Sequence, residues 1–193
     1  MRASIDSSPQ LKMSLPHALI TALLERPSSG QELARRFDKS IGYFWHATHQ
    51  QIYRELGRLE EAGWIESMEP AATRGRQRAY HVLPAGREEL LRWTAESADP
   101  KPMRDEMMLR IRAEAVIGPT VLVEDVARRL QLHREVLAHY QKIEAHDFPP
   151  GAVTREQQLQ HLVLSAGIMM EQMWVQWSEQ ALAVLSQPPT EGS

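Results

Sequence analysis

Apolar residues recur at helical spacing along nearly the whole chain, and one segment breaks that spacing. In the N-terminal half the spacing predicts three helices, with inner faces formed by Leu15, Ala18, Leu19, Ala22 and Leu23, by Leu33, Ala34 and Phe37, and by Ile52, Leu56 and Leu59. Residues 64–69 and 77–83 favour two short strands because they are rich in Trp, Ile, Tyr and Val. A fourth helix is expected from Pro84 to about residue 97. Three helices, a hairpin and a helix predict a winged helix-turn-helix domain at 13–97.

Capping signals mark the predicted helix ends. Ser29 with Glu32, and Thr48 with Gln51, have the spacing of a capping box. Gly63 suits the position just after the third helix, where a left-handed conformation is common.

The C-terminal half carries no strand signal. The run Asp99-Pro100-Lys101-Pro102 is a stiff break, and helices are expected at 103–117, from Thr120 to about 145, and at 153–185. The predicted fold is therefore mainly α, with a winged helix-turn-helix domain followed by a three-helix dimerisation domain at 103–186. Residues 1–12 and 187–193 are expected to be a disordered extension and a disordered tail.

Composition excludes several classes of site. The chain has no cysteine, so disulfides, iron–sulfur clusters and thiolate zinc sites are ruled out. No apolar run approaches the roughly 20 residues of a membrane span, and residues 1–12 lack the apolar part of a secretory signal. We expect a cytoplasmic protein without cofactor or metal. The chain contains no catalytic motif, which predicts that it is not an enzyme.

Two windows without carboxylates stand out in a chain of net charge −3. One lies between Asp38 and Glu55, and the other between Glu69 and Glu88. A polyanion would be repelled least at these two places.

The first acid-free window includes the start of the third helix. In a helix-turn-helix, the N-terminal residues of the second helix of the motif meet base edges in the major groove. Gln pairs well with adenine and Arg with guanine. The predicted DNA-binding residues here are Lys39, Thr48, His49, Gln50, Gln51, Tyr53 and Arg54. The alternative is an ordinary solvated helix face, and Tyr53 is the residue most able to pack inward instead.

The second window holds the connection between the two strands. Arg74, Arg76 and Arg78 make this connection strongly basic, and guanidinium groups suit phosphates and narrow minor grooves. We predict a DNA-contacting wing; the alternative is a merely soluble turn.

Several motifs occur in the order found in one known family. The segments 13–19, 29–33, 51–60, 63–65 and 80–87, together with the Arg-rich turn, resemble the PadR family of transcriptional regulators. The C-terminal half resembles the helical domain of the virulence-activator type. Because a single winged-helix unit touches too little DNA for a unique address, we expect a homodimer that binds a pseudo-palindromic operator with recognition helices roughly 34 Å apart. The resemblance implies repression, often relieved by a small molecule, although some relatives activate. Leu83 departs from the family, which usually has Thr there, and this removes about 1 kcal/mol of capping from the fourth helix.

The last predicted helix carries a stripe of Leu, Met and Trp side chains. This stripe suits a dimer interface or a seam between domains, and Met with Trp also suits an adaptable apolar pocket. The tentative walls of a pocket for an aromatic effector are Phe44, Trp45, Trp93, Met170, Trp174 and Trp177. Two other functions stay open: a winged helix that binds proteins, and a histidine-dependent metal sensor or enzyme.

Overall fold

The computed structural model describes residues 14–39, 47–68, 78–100, 102–151 and 153–187. The chain divides into two compact units, Met1–Asp99 and Pro100–Ser193. The elements of the first are α1 (Ser14–Glu25), β1 (Ser28–Ser29), α2 (Gly30–Lys39), α3 (His49–Glu61), β2 (Ile65–Met68), β3 (Ala79–Val82) and α4 (Pro84–Thr94). Helices around a small sheet confirm the predicted winged-helix class.

The sheet has the strand order β1-β3-β2, and both pairings are antiparallel. Ile65 pairs with Val82 at one end of β2, and Met68 pairs with Ala79 at the other. The two residues of β1 pair with Tyr80 and Ala79. Sequence periodicity predicted β2 and β3 but missed β1, because two residues are too few to show an alternation.

The core of the N-terminal unit lies between α1, α2, α3 and the sheet. The predicted inner faces are confirmed, since Leu19, Leu33, Phe37, Ile52 and Leu56 are at most 1% exposed. Each such side chain contributes about 1.5–3 kcal/mol through its burial. This closed core holds α2 and α3 together and so positions the start of α3.

The end of α3 turns sharply into β2. Gly63 has φ +69°, and its N–H donates to the carbonyl of Glu60 at 3.0 Å. The N–H of Trp64 donates to the carbonyl of Leu59, also at 3.0 Å. This pair of bonds is a Schellman motif, which confirms the predicted role of Gly63.

The C-terminal unit contains α5 (Glu106–Ile117), α6 (Leu122–Asp147) and α7 (Arg155–Leu185). Asp105 caps α5 by accepting the N–H of Met107 at 2.7 Å. Thr120 accepts the N–H of Leu122 at 3.2 Å, and Thr154 forms a capping box with Gln157 at the start of α7. That last box was not predicted.

Helices α6 and α7 form an antiparallel pair joined by matched polar contacts. His133 lies 2.7 Å from Glu171, and Glu144 lies 2.7 Å from His161. Between these pairs Gly167 faces the ring of Tyr140. Near the start of α6, a small apolar cluster packs against α7 through Met107, Leu122, Val126, Trp177 and Leu182.

Some boundaries differ from expectation by a few residues. α4 ends at Thr94 rather than near 97, and α5 begins at Glu106 rather than at 103. As predicted, the start of α4 has no side-chain cap, because Leu83 offers no oxygen. Across the ranges that the structure describes, no helix combines the length and apolar character needed to cross a membrane.

Candidate nucleic-acid interface

The first turn of α3 is fixed by a reciprocal capping box. Thr48 Oγ1 accepts the backbone N–H of Gln51 at 3.2 Å, and Gln51 Oε1 accepts the backbone N–H of Thr48 at 2.8 Å. The Thr48 hydroxyl also donates to Gln51 Oε1 at 3.2 Å. The box confirms the predicted helix start. The DNA contacts predicted for Thr48 and Gln51 stay a prediction; the box uses the Gln51 Oε1 atom and the Thr48 hydroxyl and leaves the Gln51 amide NH₂ group outside it.

The inner face of α3 is apolar apart from Glu55, which is 7% exposed. Ile52, Leu56 and Leu59 face the core, whereas His49, Gln50 and Arg54 are exposed. The exposed set lies at the N-terminal end, where unpaired backbone N–H groups and the helix dipole favour an anion. This end presents an amide, an imidazole and a guanidinium to solvent.

An open groove of about 620 Å³ lies beside this helix end. It is bounded by the start of α2, the start of α3 and the residues leading into β3. Its lining consists of Ser29, Gly30, Gln31, Arg35, His49, Tyr53, Arg78 and Tyr80. These described lining residues include two arginines and no acid, so the groove suits a phosphate chain.

The arginines of the N-terminal unit fall into two groups. Arg58 reaches Glu55 at 3.4 Å, and Arg26 reaches Glu32 at 3.1 Å. In contrast, Arg35, Arg54, Arg78 and Arg87 are exposed and form no ion pair with the described residues. Cations without internal partners are available to an external anion; Arg35 and Arg78 line the groove, Arg54 lies on the exposed face of α3, and Arg87 lies on α4.

Two tyrosines border the groove. Tyr53 is 48% exposed, and Tyr80 is partly buried between β1 and β2. Burial, with a smaller contribution from Glu60, raises the pKa of Tyr80 above its ordinary value. Tyr80 is therefore a neutral phenol at physiological pH, able to donate a hydrogen bond to a phosphate oxygen.

The predicted DNA-binding residues meet different outcomes. His49, Gln50, Tyr53, Arg54 and Arg78 lie together around the groove or on the adjacent helix face. Arg74 and Arg76 lie outside the described residues, as does the side chain of Lys39 at the end of α2.

Five residues that line the groove were absent from the predicted DNA-binding set: Ser29, Gly30, Gln31, Arg35 and Tyr80. The available signal for Arg35 was its position on the polar face of α2, opposite Leu33 and Phe37. Tyr80 gave no such signal, since it lies in a strand whose pairing with β1 was not expected.

The tentative effector residues lie in both units. In the first, Trp93 stacks on the buried ring of His17, with centroids 4.4 Å apart. In the second, Trp174 stacks on His133 and meets Trp177 edge to face, with 5.7 Å between centroids in each pair. Met170 is exposed on the same helix. Phe44 and Trp45 lie outside the described residues. In the part of the chain that the structure covers, no three acidic or histidine side chains are placed to hold a metal ion.

Two family models match most of the chain. Residues 19–92 match the transcriptional regulator PadR-like family, and residues 103–186 match the virulence activator alpha C-terminal domain. The first match falls within the N-terminal unit and the second within the C-terminal unit.

Individual relatives match over nearly their full length. The probable transcriptional regulator Rv1176c of Mycobacterium tuberculosis is 36% identical over 188 residues, which cover 91% of this chain and 99% of that protein. The structure of the Vibrio cholerae virulence activator AphA aligns with a TM-score of 0.77 at 33% identity, covering 89% of this chain and 98% of AphA.

Bacillus subtilis PadR, a negative transcriptional regulator, has a crystal structure in complex with operator DNA. It aligns with a TM-score of 0.75 at 25% identity, covering 89% of this chain and 99% of that one. Its structure in complex with p-coumaric acid aligns at 0.73 and 24% identity, with 90% and 99% covered, and shows the same fold.

Proposed function

Since the chain belongs to the PadR-like family of transcriptional regulators, we propose that it is a repressor that binds a pseudo-palindromic operator as a homodimer. In this proposal α3 enters the major groove, and one DNA backbone runs through the groove between α2, α3 and β3. The residues that contact base edges are His49, Gln50 and Arg54. Arg35, Arg78 and Tyr80 contact phosphates, and Lys39, Arg74 and Arg76 are proposed to extend the same contacts. The protein acts in the cytoplasm, where its operator lies.

One observation carries the DNA-binding proposal. Arg35 and Arg78, which are exposed and have no carboxylate partner among the described residues, line an acid-free groove next to the capped start of α3, and the exposed Arg54 lies on the same helix. A protein-binding winged helix does not need that arrangement, because cations without internal partners raise the cost of apolar contact. For a DNA backbone with closely spaced charges, the same arrangement supplies affinity.

The exposed face of α7 supports the homodimer. Leu159, Leu162, Val163, Met169, Met170 and Met173 recur at helical spacing and are 41–65% exposed in the single chain. A contiguous apolar face of this length marks an interaction surface. We propose that a second copy covers it, which pairs two recognition helices on one operator.

A small aromatic effector completes the proposal. Trp174, Trp177 and Met170 present partly exposed apolar surface on α7. A planar ligand that contacts them more favourably in one arrangement of the dimer would shift the population away from the DNA-binding arrangement. Tryptophan fluorescence titrated with phenolic acids, p-coumaric acid among them, tests this part when each compound is also added to operator binding. Quenching without any change in DNA affinity would contradict an effector role.

The decisive experiment is selection of duplexes from a random DNA pool by the purified protein, followed by binding measurements on the enriched duplex. Arg54→Ala should weaken binding by about 1–3 kcal/mol and relax preference at the bases it contacts. Arg35→Ala should weaken binding to all sequences and lower the salt slope by about one unit.

Arg58→Ala is the matched control. Arg58 stands one turn after Arg54 on the same helix but is paired with Glu55. Its loss should leave sequence preference unchanged. Failure to enrich any duplex, or equal effects of Arg54→Ala and Arg58→Ala, would contradict the proposed interface.

A further inference from the structure

Gly30 begins α2 and lies directly beneath the ring of Tyr53 on α3. A Cβ atom added at Gly30 would stand 2.6 Å from Cε1 of Tyr53 and 3.2 Å from its Cδ1. Non-bonded carbons prefer separations of about 3.5–4.0 Å, so a methyl group at residue 30 would require the Tyr53 side chain to shift. Positive φ occurs at other glycines and not at Gly30, so the constraint on residue 30 comes from its contact with Tyr53 and not from backbone conformation.

The corner that carries Gly30 is held firmly from the other side. The guanidinium of Arg36 donates to the carbonyl of Arg26 at 2.7 Å, to Ser28 Oγ at 2.7 Å and to the carbonyl of Ala22 at 3.1 Å. Ser28 is itself 1% exposed and pairs with Tyr80 in the sheet. Gly30 is therefore a fixed platform, and an added side chain would have to displace Tyr53 rather than α2.

The position of the Tyr53 side chain is not explained by burial in the core. Its side chain is 48% exposed, whereas Leu56, one turn later, is fully buried and anchors the middle of α3. Beside the core that buries Ile52, Tyr53 thus adds an exposed contact between the first turns of α3 and the start of α2. Gln50 precedes it by three residues and Arg54 follows it directly, so both move with it.

We propose that Tyr53 is a positioning residue: its ring packs on the Gly30 backbone and sets the distance of the first turns of α3 from α2, which places Gln50 and Arg54 for base contact. The proposal rests on the proposed function and revises the sequence-based expectation that Tyr53 itself binds DNA. It predicts that residues 30 and 53 are coupled in sequence discrimination.

The test compares Gly30→Ala, Tyr53→Ala, the double variant and Tyr53→Phe in the full chain. Each is measured on the duplex enriched by the wild-type protein and on a scrambled duplex of the same composition. Gly30→Ala should lower affinity for the enriched duplex about tenfold or more, the loss expected for a displaced base contact, with a much smaller change on the scrambled one. The double variant should match Tyr53→Ala, since the clash is gone. Tyr53→Phe keeps the ring and should keep the discrimination.

Gly57→Ala is the matched control, because Gly57 lies on the same helix and a Cβ there meets nothing within 4 Å. Three results would overturn the positioning role: unchanged discrimination in Gly30→Ala, an undiminished effect of Gly30→Ala when Tyr53 is absent, or a loss in Tyr53→Phe equal to that in Tyr53→Ala. The last result would assign the role to the hydroxyl.

Thermal unfolding of the same proteins separates misfolding from mispositioning. If Gly30→Ala unfolds, the double variant should recover a folded protein, and its failure to do so would overturn the contact with Tyr53. A wild-type protein that enriches no duplex would overturn the proposed function and the positioning role together. Enrichment by the wild type with no coupling between 30 and 53 would overturn the positioning role alone.

Discussion

The N-terminal unit encloses its apolar side chains, whereas the C-terminal unit leaves many of its own exposed. Leu33 and Ile52 are fully buried in the first, while Leu162 and Met169 on α7 are 64% and 65% exposed. The small cluster around Met107 and Val126 is the main closed apolar core of the second unit. The first unit therefore completes its core within one chain, and the second leaves apolar surface exposed in the single chain.

The two units also differ in the ion pairs that their arginines form. In the C-terminal unit Arg110 and Arg128 both reach Asp125 at 2.6 Å, and Arg134 reaches Glu179 at 2.7 Å. Arg128 and Arg110 hold the pKa of Asp125 below its ordinary value. In the N-terminal unit, Arg54 and Arg78 lack such partners among the described residues. The C-terminal unit also has exposed arginines that form no ion pair with the described residues, at Arg104, Arg112 and Arg155, so the units differ in where such arginines lie: in the N-terminal unit Arg78 lines an acid-free groove beside α3.

The largest expected effect comes from charging the exposed face of α7. Leu162→Glu with Met169→Glu should convert the proposed homodimer to a monomer, because each carboxylate would lose its hydration in the interface. Sedimentation at micromolar concentration measures the change. Affinity for the enriched duplex should fall by at least a hundredfold, since two half-sites are no longer bound together.

Gln172→Glu is the control for this pair, because Gln172 is exposed on α7 outside the stripe. It should leave the dimer intact. A wild-type monomer in sedimentation, or a charged variant that remains dimeric, would contradict the role assigned to this face.

The closed core of the first unit is tested at Gly86. A Cβ there would stand 2.3 Å from the carbonyl oxygen of Trp64, a backbone atom that cannot rotate away. Gly86→Ala should therefore lower the free energy of unfolding by about 1–3 kcal/mol, the usual cost of overpacking. Denaturant unfolding of the full chain measures it, with Gly57→Ala as the unhindered control. Equal stability of the two variants would show that α4 shifts freely.

Most of the fold was predictable because its signals are local. The inner face at Ile52 and Leu56, the cap at Thr48 and the stop at Gly63 each depend on neighbours within a few residues. Strand β1 was not predictable, since Ser28 and Ser29 form a strand only through distant Tyr80 and Ala79. Tertiary pairing decided it rather than propensity.

The candidate site divides in the same way. Gln50 and Arg54 were predictable from a capped helix without acids, which is a local pattern. Arg35 and Tyr80 were not, because they enter the groove through the packing of α2 and β3 beside α3. The close fit of Tyr53 on Gly30 also follows from tertiary packing. The sequence alone left open whether the Tyr53 side chain packs inward or faces DNA.

An intermediate effect is expected from changing the carboxylate that contacts the buried histidine of the first unit. His17 lies 3.1 Å from Glu89, and hydrogen bonds from Arg92 and then His17 hold the pKa of Glu89 below its ordinary value. A lowered folded-state pKa stabilises the fold above the unfolded pKa, and that stability is lost as pH falls through the folded value. Glu89→Gln should cost about 1.5 kcal/mol at pH 7 and clearly less at pH 3.

Unfolding of the full chain at both pH values gives the comparison, with the exposed neighbour Glu88→Gln as control. A cost of Glu89→Gln that is the same at pH 3 as at pH 7 would show that its charge does not stabilise the unit.

The smallest expected effect comes from removing the capping threonine of the matching boxes, one in each unit. Thr48 with Gln51 begins α3, and Thr154 with Gln157 begins α7. Thr48→Ala and Thr154→Ala should each lower the free energy of unfolding by about 1 kcal/mol, because one backbone N–H loses its acceptor. Only Thr48→Ala should also weaken binding to the enriched duplex, since only that helix end faces DNA in the proposed complex. Both quantities are measured on the full chain at fixed protein concentration. Equal losses of DNA affinity would mean that stability alone governs binding, and the division of labour between the units would then be wrong.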